Sequence, residues 1–359
     1  MSGKDQRIAS IDILRGFDLF ILLFLQPVLV SIGTVVSAPW YHDLLYQLDH
    51  EVWEGFRCWD LVMPLFLFMV GTSMPFSFAK YARKERGEKS VYFRILRRVV
   101  ILFILGMIVQ GNLLGFSIES LKIYNNTLQA IAAGYLIASL ILLNCSFRIQ
   151  ILLTFALLII YSIPMAIYGD YSPEGSFSFR VDEIIIGRFR GDLTYTWIWS
   201  SLTFGATVMF GAIAGHLIKN SRKFSKNRVG TILSVCGVAL IFLGWILGFY
   251  EPIIKRIWTS SMTLFSAGWC FLLMAVFYWW VDILHHHRGL SWLKIYGMNA
   301  ITAYCLGEVI NFRSVVHSLT FGLQDIVNDW YPVILTFGNC VMLFIILWVM
   351  YRSRLFVKV

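Results

Sequence analysis

One histidine in this chain sits where acid–base chemistry could use it. The run DHEVWEGFRCWD puts His50 among Glu51, Glu54, Arg57 and Asp60, immediately before an apolar stretch. Carboxylates around an imidazole favour its protonated form and fix its tautomer, as a general base or proton shuttle requires. The competing readings are a merely solvated His50 and an Asp60 that caps the helix it precedes. A second polar group opens the chain as SIDILRGFD. There Ser10 reads as a helix N-cap, Asp12 as a first-turn acid and Arg15 as its partner three residues on. Asp18, about a turn deeper, has no evident partner in that pattern. Gln26, Asn299 and the indole of Trp258 supply N–H donors that could meet charge on a carbonyl oxygen. Asn299 and Glu308 fall in one expected helix, nine residues apart and so partly on opposite sides. Arg94, Arg97, Arg98, Lys219, Arg222 and Lys223 form a basic rim that could hold phosphates or could simply orient the chain.

Those residues must be held by membrane-spanning elements. The 359 residues are 58% hydrophobic and only 14% charged, with mean hydropathy +0.70. Soluble domains are about 45–50% apolar and about 25% charged. The composition excludes an ordinary soluble enzyme, a disordered chain and a nucleic-acid-binding domain. A crossing takes about 20 apolar residues, and ten segments qualify, at about 11–36, 60–80, 96–115, 126–144, 149–168, 199–218, 229–250, 261–284, 292–312 and 330–351. The first is too long, and lacks the small-residue cleavage motif, to be a signal peptide. The expected fold is all-α: a polytopic membrane helix bundle of about ten helices in a single domain, 1–359.

Charge orients it. With the N-terminus inside, eight of the 30 basic residues fall outside (57, 122, 180, 188, 190, 255, 256, 313) and 22 inside, as the positive-inside rule asks. The topology is therefore N-in and C-in, and the bias accounts for most of the net charge of +9. The longer outer loops lie at about 37–59, 169–198, 251–260 and 313–329. Gly205, Gly211 and Gly215 read as helix-packing positions. Six scattered cysteines indicate neither a disulfide framework nor a metal site. His285, His286 and His287 cannot share one metal from successive helical positions, and solvation is expected there. The sequon Asn125-Asn126-Thr127 matters only in a glycosylating compartment. Trp197, Trp199, Trp258, Trp330 and Tyr331 read first as an interfacial aromatic belt.

In order and spacing, several short motifs together resemble the heparan-α-glucosaminide N-acetyltransferase family of transmembrane acetyltransferases, bacterial branch. They are S-x-D-x-x-R-G (Ser10, Asp12, Arg15, Gly16), H-x-x-W-x-G (His50, Trp53, Gly55) and D-L-x-x-P-x-F-x-F-x-x-G (Asp60, Pro64, Gly71). Leu128-Gln129, Trp258 to Ser261, Gly297 to Ala300 and then Glu308 complete the series. The resemblance implies an acyltransferase moving acetyl from cytosolic acetyl-CoA to an amino sugar or glycan across the membrane. It makes His50 the catalytic residue, and Gln26 stands where the family has an assisting asparagine. Departures are Ala130 in place of an arginine after L-Q, and RFRGDLTYTWIWSSLTFG at 188–205 in place of a D-P-E-G loop. The expected site comprises His50, Gln26, Asp60 and Asn299 for catalysis. Arg15, Arg97, Arg98 and Lys219 are expected to hold acetyl-CoA, and Trp53, Trp258 and Glu308 the acceptor. A thioester is already activated, so no metal is expected. The expected partners are the acceptor and the lipid bilayer, with a homodimer open and no nucleic acid, in a bacterial inner membrane. The rival is a transporter or flippase for a small anion or lipid-linked sugar. Ten helices with intramembrane polar residues would suit it too, although no paired broken-helix repeat is visible.

Overall fold

Apolar helices of crossing length dominate the computed structural model, which describes residues 8–84, 89–111, 121–191, 194–222 and 225–357. The protein is an all-α polytopic membrane helix bundle. In chain order the helices are α1 (Ala9–Ile32), α2 (Pro39–Gln47), α3 (Val62–Lys84), α4 (Lys89–Val109), α5 (Thr127–Asn144), α6 (Phe147–Tyr168) and α7 (Phe177–Ile185). Then follow α8 (Ser201–Lys219), α9 (Lys226–Leu247), α10 (Ser260–Ile283), α11 (Leu293–Met298), α12 (Ala300–Val309), α13 (Arg313–Thr320) and α14 (Tyr331–Arg352). Among the described residues, eight stretches are long and apolar enough to cross a bilayer.

The other two expected crossings differ for physical reasons. The segment at 96–115 is α4, which begins earlier and carries Arg94, Arg97 and Arg98 in its first half; residues 112–115 lie outside the described residues. The segment at 292–312 is not one helix. It breaks at Asn299, whose backbone (φ −122°, ψ 40°) separates α11 from α12. The expectation of one helix carrying both Asn299 and Glu308 is thereby corrected. Lys223 and residues 85–88 of the basic run 80–98 likewise lie outside the described residues.

The chain forms two compact units, each discontinuous in sequence. The first comprises Met1–His50, Arg57–Val62 and Phe277–Lys358; the second comprises Glu51–Phe56 and Met63–Val276. In the first unit α1 and α11 meet backbone to backbone. A Cβ at Gly16 would fall 1.8 Å from the Leu293 carbonyl oxygen, and one at Gly297 would fall 2.1 Å from that of Asp12. Only glycine allows such an approach. Aromatic pairs Phe17–Phe277 and Phe20–Trp292 close the layer above. Ser10 is not the N-cap: Ile8 holds that position, and the second residue of α1, Ser10, donates its backbone N–H to Asp282 Oδ2 at 3.3 Å. The expected pair Asp12–Arg15 is present at 3.8 Å. Midway along α1, residues Ile21–Leu25 widen into a π turn. Pro27 explains it, because proline donates no N–H and crowds the carbonyl four residues back.

In the second unit α8 is the enclosed helix, and glycines let its neighbours close on it. A Cβ at Gly211 would lie 1.9 Å from the Phe68 carbonyl oxygen, and one at Gly215 2.3 Å from that of Thr72. At Gly205 the obstacle is the Ile137 side chain on α5. The packing role expected of these three residues is thus realised.

Candidate active site

The hairpin that carries His50 is anchored at both ends. After α2, Asp49 Oδ1 accepts the His50 backbone N–H at 2.7 Å, and Gln47 Oε1 accepts that of Cys58 at 3.3 Å. Asp60 lies in the single turn Cys58–Leu61 that leads into α3, where a negative group suits the helix N-terminus. One carboxylate oxygen, Oδ2, accepts the Arg57 backbone N–H at 3.0 Å. The other, Oδ1, lies 2.8 Å from His50 Nδ1. The Asp60 side chain is 1% exposed and that of His50 39%. A buried, pre-oriented carboxylate therefore holds one face of an imidazole that still reaches solvent. Accepting from Nδ1–H puts the lone pair of the neutral ring on Nε2, the arrangement of an oriented base. Asp60 combines the capping role with this second one.

Arg57 ties the hairpin together. Its guanidinium lies 3.7 Å over the Tyr46 ring, with Nη1 at 3.4 Å from the Tyr46 carbonyl and 4.0 Å from Asp49 Oδ2. Gln26 joins the same group: Nε2 donates to the carbonyl of Leu48 at 3.4 Å, two residues before His50. The π turn directly precedes Gln26. His50, Asp60 and Gln26 are therefore brought together within one unit, with Arg57 as the member that the sequence did not single out. Its signal was its place between His50 and Asp60.

Asn299 is elsewhere. It is buried, and it clamps the chain beyond α14, with Nδ2 donating to Leu355 O at 3.1 Å and Oδ1 accepting from Val357 N at 3.2 Å. Its neighbour Gly297 abuts Asp12, fourteen residues before Gln26. At 1.5 Å per residue that is about 20 Å along α1. Glu308 is exposed on α12, and Arg15 pairs with Asp12 near the start of α1.

The remaining expected residues belong to the second unit. Trp53 packs on Tyr161, Met165, Ile254 and Ile257, and donates its indole N–H to Tyr171 O at 3.0 Å. Trp258 is buried, so it does not belong to an aromatic belt. Its indole N–H points to Thr207 Oγ1 at 3.3 Å, its ring meets Phe204 edge-on, and its φ of 52° is strained for a bulky residue. Trp197 and Tyr331 are buried as well, whereas Trp330 is exposed. Lys219 donates to the Pro75 carbonyl at 2.6 Å, Arg98 lies 4.3 Å over the Tyr135 ring, and Arg97 is exposed.

Two buried acids of the second unit were missed because they sit in stretches read as outer loops. Glu251 accepts Ser260 N–H at 2.7 Å and the Ser162 hydroxyl at 2.6 Å, and burial raises its pKa. Asp182, on α7, accepts the backbone N–H groups of Trp197 at 2.7 Å and Ile198 at 2.9 Å. Burial pushes it up to about 6 in spite of those bonds and the nearby Arg190. No group of His, Cys, Asp and Glu among the described residues could hold a metal ion. No protein-family profile and no curated protein matches the chain.

Proposed function

We propose that the protein is a transmembrane N-acetyltransferase that uses acetyl-CoA to acetylate an amino sugar or glycan. The observation that carries this reading is the 2.8 Å contact between a half-exposed His50 and a fully buried Asp60, together with the motif series that resembles the acetyltransferase family. In the reaction the acceptor amine attacks the thioester carbonyl and a C–N bond forms. The C–S bond breaks, the amine proton passes to His50 Nε2, and coenzyme A leaves as the thiol after protonation. Asp60 keeps the imidazole in the accepting tautomer and stabilises the imidazolium that forms. The Gln26 amide, held beside the hairpin by its bond to the Leu48 carbonyl, has a second N–H to offer the carbonyl oxygen. Arg15, in the same unit as His50, remains the proposed phosphate partner of acetyl-CoA, whereas Arg97, Arg98 and Lys219 belong to the second unit.

The test is thiol release from acetyl-CoA by the purified protein, with and without glucosamine. Acceptor-dependent thiol release that vanishes in His50→Ala, with helicity retained, supports the reading. Full activity in that variant would remove His50 from the mechanism.

A second reading has its own observation. Transporters place binding sites at interrupted helices and intramembrane charges. The break between α11 and α12 is such an interruption, and buried Asp18 has no hydrogen-bond partner at Oδ2 among the described residues. Acceptor flux across proteoliposomes without thiol release would favour it.

A further inference from the structure

The first unit contains a second interruption, and it lies level with the inner part of α1, a helix of crossing length. α12 stops at Val309, Ile310 is extended (φ −107°, ψ 126°), Phe312 turns back (φ −88°, ψ 5°), and α13 begins at Arg313. A Cβ on Gly307 would lie 2.4 Å from Leu23 Cδ2. Leu23 is nine residues short of the end of the 24-residue α1, so the level of Gly307 is about 14 Å in from that end. The neighbouring Glu308 is exposed, and no hydrogen bond or ion pair is recorded for it among the described residues. Asn311, Arg313 and Ser314 above it are exposed too. Arg313 turns away from Glu308 towards α14, where Nη2 donates to Thr336 Oγ1 at 2.8 Å, and Thr336 bonds Ser31. Apolar Val309, Ile310 and Val315 share this surface.

The backbone adds acceptors to the carboxylate. A continuing helix would close the N–H of residue 312 on the carbonyl of Glu308, and that of 313 on the carbonyl of Val309. Instead Phe312 N–H goes to Asn339 Oδ1 at 2.7 Å and Arg313 N–H to Asn311 Oδ1 at 2.9 Å. Two helix-end carbonyls are thereby released from the helical ladder beside an unpaired carboxylate, at the negative end of a helix dipole. Non-helical backbone and charge at this depth are tolerated where they line water, not hydrocarbon. We propose that Glu308, with the carbonyls of Glu308 and Val309, forms a cation-accepting site at the floor of a water-filled vestibule that opens at the end of the unit where α14 begins. Its ligand is a small monovalent cation, either an alkali ion or a protonated amine. The site does not depend on the acetyl-transfer reading.

The test uses the full chain carrying Ser314→Cys in proteoliposomes, with modification of residue 314 read by peptide mass spectrometry. Membrane-impermeant cationic and anionic methanethiosulfonates are compared. The cysteine should react from water, the cationic reagent should be favoured, and adding Glu308→Gln should lower the cation-to-anion rate ratio several-fold. Sodium or methylammonium should slow the cationic reagent in a manner that Glu308→Gln abolishes. Slowing by sodium alone assigns an alkali ion, and slowing by methylammonium alone assigns an amine. A residue 314 that reacts only after detergent extraction would place this surface against lipid and overturn the vestibule. A rate ratio indifferent to Glu308→Gln, or protection by neither cation, would overturn the cation site.

Discussion

Among the described residues, three buried carboxylates hold backbone, and one of these three also holds an imidazole. In the second unit, Asp182 gives both oxygens to the N–H groups of Trp197 and Ile198, and Glu251 gives its own to Ser260 N–H and the Ser162 hydroxyl. Their acceptor capacity goes into fixing loops. In the first unit, Asp60 gives one oxygen to Arg57 N–H and turns the other to an imidazole that reaches solvent. Burial alone therefore does not separate the three. What sets Asp60 apart is an oxygen committed to a second titratable group that solvent reaches.

The sharpest way to break that contrast is Asp60→Asn. The amide oxygen stays on Arg57 N–H, so the NH2 faces His50 Nδ1. That forces the proton onto Nε2 and removes the base. Acetyl transfer should fall by about 10²–10⁴-fold, while helicity and membrane insertion persist. An undiminished rate, measured by thiol release, would reduce Asp60 to a cap.

Asp182→Asn should do the reverse, leaving transfer unchanged and altering stability. The folded-state pKa of Asp182 is raised from 3.8 to about 6. Its contribution is therefore fully present below the unfolded value and is lost as pH rises through about 6. The wild-type protein should lose on the order of 2–3 kcal/mol between pH 4 and pH 7 from this group. The thermal midpoint of Asp182→Asn should change less over that window. Parallel pH profiles for the two proteins would show that the carboxyl does not titrate there.

How much of this was legible follows from what each feature depends on. The crossings read well because about 20 apolar residues have few alternatives in a bilayer, and α5, α6 and α8 lie within three residues of their expected bounds. The His50–Asp60 pairing was within reach, since both flank one short loop before a helix. The interruptions at Asn299 and 310–312 were not: neither segment contains proline or a glycine pair, and the second depends on Asn339, 27 residues away, capturing Phe312 N–H. Asp282 taking the place expected of Ser10 at the start of α1 is long-range too, across 272 residues. Glu251 and Asp182 escaped because a carboxylate in a polar loop looks solvated until the loop is seen packed.

Asn299 sharpens the comparison at its small end. As an amide it matches Gln26 of the His50 group in residue type, yet its bonds run to Leu355 and Val357. An amide that spends its oxygen and an N–H on the segment after α14 is a clamp, the same economy as Asp182. Asn299→Ala should release the segment after α14, leave the Leu355 carbonyl and the Val357 N–H to water, and cost about 1 kcal/mol. Acetyl transfer should stay at the wild-type rate, because the site of Asn299 is about 20 Å along α1 from Gln26. Faster amide exchange confined to residues 353–357, at constant activity, is the expected signature. A variant that keeps its tail protected but loses transfer would bring Asn299 back among the catalytic residues.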